Sequence, residues 1–341
     1  MASYYRFAVL DPRPTATEAN DKVFASGPVL GVEVTTPALA ARCGLGNIDP
    51  QHTDGGDASR AAIEVARECE LPPRDAVLAT VRADLDSVGA MAIISLRRDL
   101  AERDRAVENE GGEALADGYT QDGRNVLRWL ISRGEFASRV ALVATSDKFA
   151  RGGWPGRRPL PTRESPWDEA TATAESSRPL AVIAAAVMDF KVPLADRVAT
   201  MEQWLLHGDE PARYREAVEA ERSDLITALE TGQIKVQLAA GERIAVVEST
   251  HRAATSVGYS RAPVVVALNP EFRFQGGESL RKFTICAFEA GKFADIKSAL
   301  AELAVLEPGW GGSPTIGGSP QGVSSTLTTD KVVEVVARNL R

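Results

Sequence analysis

The chain is poor in the residues that build most metal and redox centres. Its 341 residues include three histidines (His52, His207, His251) and three cysteines (Cys43, Cys69, Cys286). Three widely spaced thiols exclude a disulfide framework or a cysteine-rich zinc cluster and fit a reducing compartment. With imidazoles so scarce, any metal centre must be mainly carboxylate, and oxygen-rich donor sets favour Mg2+ or Mn2+ over zinc. No apolar run approaches the roughly 20 residues that cross a bilayer. The N-terminal MASYYRFAVLDPRP also lacks the basic-then-apolar layout of a signal peptide. The expectation is a cytoplasmic protein with no membrane partner. Positive charge is short too: 39 Lys and Arg stand against 47 Asp and Glu, a net −8. That balance excludes a broad basic face coating long duplex nucleic acid. It leaves room for a small phosphate-containing substrate, held by a few arginines or bridged through a metal. There are no internal repeats.

What remains is an ordinary globular composition, 44% hydrophobic and 25% charged, at a length that predicts two domains. The first half alternates strand-like apolar runs with helical patterns. VFASGPVLGVEV reads as strand and turn, ASRAAIEVAREC (58–69) as helix and DAVLATV (75–81) as a short buried strand. AMAIISLRRDLAERDRAVE (90–108) reads as an amphipathic helix, NVLRWLISRG (125–134) as helix and RVALVATSD (139–147) as another buried strand. Strands separated by helices imply right-handed crossovers and a mainly parallel sheet, whose ligands sit beyond the carboxyl ends of the strands. A Gly-, Pro- and Arg-rich loop (152–167) and an apolar helix (178–190) follow, then a long charged helical stretch (194–232), which reads either as a connector between domains or as a surface helix of the first. From about Ile234 the pattern turns to strands (IKVQLAA, RIAVVES, APVVVALNP, RKFTICAF). A helix, a Gly-rich loop (308–322) and a last helix complete the chain. The predicted fold class is therefore α/β. An N-terminal mainly parallel sheet flanked by helices (1–193) leads through a helical connector (194–233) to a smaller C-terminal α+β domain (234–341).

The chemistry concentrates in four acid- or glycine-rich segments. In ATVRADLDSVGA, Asp84 and Asp86 follow an apolar run two positions apart, which on extended backbone puts both carboxylates on one side. Close carboxylates repel unless a cation neutralises them, so the pair suits bridging divalent ions; the alternative is N-capping of the next helix by Asp86 or Ser87. Asp147, after ALVATS, and Asp189, a lone acid ending the apolar helix AAAVMDF, are further candidate ligands. Helix C-termini favour cations and buried acids are costly, which singles Asp189 out. GLGNIDPQHTDGG places Asp49 and His52 three apart in a Gly- and Pro-bounded loop, with Asp54 and Asp57 beyond. This is either a ligand set or a turn making local hydrogen bonds. PGWGGSPTIGGSPQG carries glycines at 309, 311, 312, 317, 318 and 322, which let backbone N–H groups approach an anion. It matches neither the P-loop lysine pattern nor a dinucleotide fingerprint.

Taken together these segments resemble the DHH/DHHA1 phosphoesterase superfamily of oligoribonucleases, cyclic-dinucleotide phosphodiesterases and RecJ-type exonucleases. Asp84 and Asp86 in TVRADLDSVGA match the Asp-x-Asp of its first motif. GGSPTIGG (311–318) matches its C-terminal GGHPxAAG-like loop. The departures are that Thr80 stands where the first-motif His belongs, Ser313 where the loop His belongs, and no Asp-His-His triplet exists. The resemblance implies metal ligation by Asp84, Asp86, Asp147 and Asp189, with one or two Mn2+ or Mg2+ ions. His52 and Asp49 are expected to stand in for the missing histidines, and Asp84, Asp86 and His52 to be catalytic. It also implies substrate binding by His251 and Arg252 and by the loop residues Gly311, Gly312, Ser313, Thr315, Gly317 and Gly318. Arg82, between strand and Asp pair, is a phosphate-clamp candidate. Arg157 and Arg158 read as a lid or a solvated loop, and His207 as a helix-end charge. The expected activity is metal-dependent hydrolysis of a phosphorylated nucleotide, short oligonucleotide or cyclic dinucleotide. The alternatives are a non-catalytic nucleotide- or partner-binding protein on the same scaffold, or a metal-dependent hydrolase of another substrate. A homodimer is allowed for.

Overall fold

The structure is a computed structural model that describes residues 4–52, 57, 60–109, 134–147, 154, 156–165 and 180–341. The chain divides into two compact units, Met1–Asp147 with Leu180–Arg215 and Lys148–Pro179 with Glu216–Arg341. Both are α/β. Among the described residues no helix is long and apolar enough to cross a membrane.

Unit 1 is built on a parallel sheet of four short strands: β1 (Arg6–Val9), β2 (Val29–Val32), β3 (Asn47–Ile48) and β4 (Val77–Thr80), in the order β1-β4-β2-β3. Helices α1 (Thr17–Ala25), α2 (Pro37–Ala40) and α3 (Ala62–Ala66) lie between consecutive strands. Period-two alternation sorts the central strands between two cores. Leu30, Val32 and Leu78 join one apolar cluster, while Val29, Val77 and Ala79 join the other with Val23, Phe24 and Leu39 of the first two helices. Because both faces are covered, VLGV and VLAT read as unbroken apolar runs.

The first fourteen residues of helix α4 (Leu85–Asn109) depart from the amphipathic reading. Every residue from Leu85 to Arg98 is buried, because α3, α5 (Gly134–Asp147), α6 (Ala181–Met188) and α7 (Leu194–His207) all pack against it. A helix enclosed on all sides carries apolar residues all round. The expected strand at 139–147 is instead the second half of α5. Phe136, Val140, Val143 and Ala144 are its buried apolar residues, a spacing of four, three and one that marks a helix face. The short window VALVA hid that period, since Phe136 lies outside it. The helix expected at 125–134 lies outside the described residues except for Gly134.

The stretch expected as a connector is shared between the units. α7 turns Leu194, Val198, Met201, Trp204 and Leu205 into the unit 1 core. α8 (Ala212–Glu230) contributes Leu225 and Ala228 to unit 2, the division falling between Arg215 and Glu216. On α7, burial pushes the Glu202 carboxyl up to about 7, against a hydrogen bond from Ser95 and with help from Asp99. The unfolded chain titrates near the ordinary 4.5, so this group costs nothing below that pH. Its cost grows as pH climbs from 4.5 to 7 and then levels off. Glu202→Gln is therefore expected to add about 2–3 kcal/mol of stability at pH 8 and almost none at pH 4, read from denaturant unfolding at both pH values.

Unit 2 carries a mixed sheet of six strands: β5 (Lys235–Ala239), β6 (Ile244–Glu248), β7 (Val264–Arg273), β8 (Ser279–Ala287), β9 (Gly311–Gly312) and β10 (Ile316–Gly318). They run in the order β5-β6-β7-β8-β10-β9, with only β6 and β7 parallel, joined through α9 (Ala254–Tyr259). On β7, Val264, Val266 and Leu268 face a core with α10 (Ile296–Leu306) and α11 (Thr329–Arg338), while Val265 and Ala267 face α8 and α9.

Candidate metal centre

Parallel strands end together, so residues just past their carboxyl ends share one rim of the sheet. In unit 1 Glu33 follows β2 directly, Asp49 follows β3 directly, and Asp84 lies four residues past β4. Asp86 in the first turn of α4 and Asp147 at the end of α5 join them. Ligand atoms of Glu33, Asp49 and His52 lie within 4.8 Å of one another, as do those of Glu33, Asp86 and Asp147. Glu33 thus belongs to both groups.

Local hydrogen bonds orient most of these groups. His52 Nδ1 lies 2.6 Å from Asp49 Oδ1, and the His52 backbone N–H donates to the same oxygen at 3.2 Å. Gln51 Nε2 donates to Asp147 Oδ2. Asp86 accepts the N–H groups of Ala62 (2.5 Å) and Ile63 (2.9 Å), capping α3, whose own N-cap residue, Ala61, has no side chain to do so. Asp84 caps α4: its Oδ1 accepts from Ser87 N–H at 3.2 Å, and its own N–H donates to Ser87 Oγ at 3.0 Å. Glu33 differs from all of these. It is 7% exposed, and among the described residues no hydrogen-bond donor meets its carboxylate. Its backbone sits at φ +52°, in the left-handed region that costs a non-glycine residue about 1 kcal/mol.

The charges are coupled. Burial first, and then the carboxylates of Asp86, Asp84, Asp147 and Asp49, hold the Glu33 carboxyl well above the usual range. Burial and Asp147 do the same to Asp86, against the N–H groups of Ile63 and Ala62. Burial works against a charged His52, but the Asp49 bond and the surrounding carboxylates outweigh it and raise its pKa. Buried like charges of this kind persist only with protons or a cation between them. The donor set, oxygens with one imidazole, suits Mg2+ or Mn2+.

The structure brings together Asp49, His52, Asp86 and Asp147; Asp84, expected as a ligand, belongs to neither group of ligand atoms, and only its charge reaches Glu33, His52 and Asp86. The expected extended Asp84–Asp86 pair is not what brings them there. α4 begins at Leu85, so the two acids flank a helix start and serve different caps. Asp189 belongs to neither acid group. It stands at the C-terminal end of α6, its carboxylate accepting from Tyr214 Oη–H at 2.8 Å and Lys191 N–H at 3.1 Å, and the Tyr214 bond lowers its pKa. Arg82 is largely exposed, its Nε 3.6 Å from Asp84 Oδ2. Thr80, where the resemblance places a histidine, is a buried turn hydroxyl that donates to Arg82 C=O at 3.0 Å and accepts its N–H at 3.2 Å. Asp54 lies outside the described residues.

The remaining candidates lie in unit 2, apart from His207, an exposed residue ending α7. His251 follows the carboxyl end of β6 with exposed Arg252 beside it. His251 Nδ1 accepts Ala253 N–H at 3.1 Å, leaving the proton on Nε2, 3.7 Å from Asp224 Oδ2; burial lowers its pKa. The glycine-rich segment is a hairpin on the sheet edge rather than an open loop. A Cβ on Gly312 would lie 2.3 Å from Gly317 Cα, and one on Gly317 would lie 2.5 Å from Leu300 Cδ1, so packing requires both glycines. Ser313 and Thr315 are buried, Ser313 Oγ accepting Ile316 N–H at 3.2 Å; Gly311 and Gly318 pair across the hairpin. Arg157 is tied to Glu242 at 2.6 Å and to the C=O of Arg261 at 3.1 Å, and Arg158 N–H donates to Ser260 C=O at 2.9 Å.

Sequence reasoning missed Glu33 and Gln51. In GVEVTT, Glu33 stands between Val32 and Val34, both almost wholly buried, and alternation assigns it to solvent. The available signal was a lone acid directly after an apolar strand. Compared with known proteins, the chain matches no family model and no curated protein.

Proposed function

We propose that unit 1 is a divalent-cation centre that hydrolyses phosphoesters, as the resemblance to the DHH phosphoesterases implies. The observation that supports it is Glu33: a buried carboxylate that no donor among the described residues meets, shared by two groups of ligand atoms. Glu33, Asp49, His52, Asp86 and Asp147 would hold Mn2+ or Mg2+, which when bound lowers the pKa of water and offsets phosphoryl charge. Asp49 orients the His52 ring, leaving one ring nitrogen for an ion or a proton. The caps on Asp84 and Asp86 hold the rim rigid, and Gln51 holds Asp147. Arg82, an exposed cation beside Asp84, would grip a phosphoryl oxygen. A net charge of −8 repels an anionic substrate at long range, which such a grip and the metal would offset.

The test is incubation with Mn2+ or Mg2+ and a panel of short oligonucleotides, cyclic dinucleotides and generic phosphodiesters, with a chelator control. Metal-dependent cleavage is expected; its absence with every substrate and both metals would sink the hydrolase reading. On an active substrate Arg82→Ala is expected to raise KM on the order of tenfold with little change in kcat. A reversed pattern would deny Arg82 a binding role. The second reading, binding without turnover, is favoured by Thr80, since that position offers a turn hydroxyl where the resembled enzymes carry a histidine. Mn2+ and nucleotide binding without cleavage is its signature.

A further inference from the structure

The position of Glu33 depends on a neighbouring amide. Val34 N–H donates to Asn47 Oδ1 at 3.2 Å, and Asn47 Nδ2–H donates to Val34 C=O at 3.1 Å. One side chain thus takes both backbone groups of the residue after Glu33, as a strand partner would. On the other side, Glu33 N–H donates to Ile48 C=O at 2.8 Å. Consecutive residues of β3 therefore bracket Glu33, one through its side chain and one through its main chain. The bracket spans the residue whose φ of +52° would otherwise relax to negative values.

The amide has room only because residue 31 is glycine. A Cβ there would lie 2.5 Å from Asn47 Oδ1 and 3.1 Å from Cys43 Sγ. Gly31 sits inside β2, paired to β3 and β4, with no left-handed backbone that asks for glycine. Glycine weakens a strand interior, so its presence marks a close approach. The group that approaches is the Asn47 amide.

We propose that Asn47 is the positioning residue of the metal centre. Its amide, seated over Gly31, locks the Glu33–Val34 backbone so that the Glu33 carboxylate reaches both groups of acids. Asn47 acts through Glu33 and is not itself a ligand. This rests on the reading of the cluster as a cation site.

The experiment is titration of the full chain with Mn2+, followed by calorimetry and by the paramagnetic resonance signal of free Mn2+. Wild type, Glu33→Gln, Asn47→Ala, Gly31→Ala and the double variant Asn47→Ala/Glu33→Gln are compared, with thermal unfolding in parallel. Asn47→Ala is expected to bind Mn2+ about tenfold or more weakly, the usual size for a group that orients a ligand. It should add nothing in the Glu33→Gln background, because both act at one place. Gly31→Ala reaches the same clamp from β2 with Asn47 intact and should give the same loss; it carries the test if Asn47→Ala does not fold. A folded Asn47→Ala that binds Mn2+ as wild type does overturns the inference and leaves the metal reading standing. A wild type that binds no Mn2+, or a Glu33→Gln variant that binds it equally well, removes both.

Discussion

Glu33→Gln is expected to weaken Mn2+ binding on the order of a hundredfold or more and to abolish metal-dependent hydrolysis. The same change should stabilise the metal-free protein at pH 8. The two effects share one cause. Glu33 is surrounded by Asp86, Asp84, Asp147 and Asp49, and burial with their charge holds its proton well above the ordinary carboxylate range. A raised folded-state pKa costs nothing below the unfolded value of 4.5, and the cost grows as pH rises above it. Metal-free protein should therefore lose stability between mildly acid and mildly alkaline pH, and Mn2+ should restore it. Glu33→Gln removes the source of the loss along with a ligand. Glu33 and Asp86 must also release protons before an ion can bind, so Mn2+ affinity should increase with pH. Calorimetry at pH 5.5 and 8, in buffers of different ionisation enthalpy, counts those protons. Equal affinity at both pH values, with no proton release, would contradict a carboxylate site.

Arg97→Ala is expected to cost about 3 kcal/mol, through the atoms removed from a filled interior and the carbonyl left behind. Arg97 is 1% exposed and donates to Ala66 C=O, one of the last carbonyls of α3, at 2.7 Å and to Cys69 Sγ at 3.4 Å. Asp86, eleven residues earlier on α4, accepts from the first N–H groups of the same helix. Eleven residues are close to three helical turns, so both side chains leave α4 on one face. α3 has only five residues, too few to be stable alone, and is held between them. For a unit of this size the loss corresponds to roughly 6–12 °C in unfolding temperature. Arg97→Lys keeps a charge but lacks Nη1, the one nitrogen that donates to both acceptors, and should recover only part of the loss. A change under about 1 kcal/mol in Arg97→Ala would show that α3 does not need this clamp.

The α/β class was legible because apolar periodicity is local. VLAT, VLGV and the VVVAL of β7 announce buried strands, and the apolar run of α4 announces a helix, from residues within one or two turns of each other. The error at 139–147 arose at the same scale: VALVA satisfies both periods, and only Phe136 breaks the tie. Asp49 and His52 drew notice because they sit in a Gly- and Pro-bounded loop, Asp84 and Asp86 because two acids interrupt an apolar context. Asp189 drew notice for its place at a helix end, and the structure gives it a local reason, the Tyr214 hydroxyl.

By itself the sequence determined that this is an α/β chain and, with three histidines and three cysteines, that a metal centre here would draw mainly on carboxylates. It also placed acids just past the ends of buried strands. These follow from composition and from contacts between near neighbours. Only the tertiary structure decided which acids share a site. Asp86 points to α3 because Ala62 and Ile63, twenty-four and twenty-three residues away, need a cap. Glu33 turns inward because Asn47, fourteen positions on, fits over Gly31 and holds the next residue's backbone. A side chain's direction past the end of a strand depends on hydrogen bonds from other elements, and no period along the chain encodes those partners.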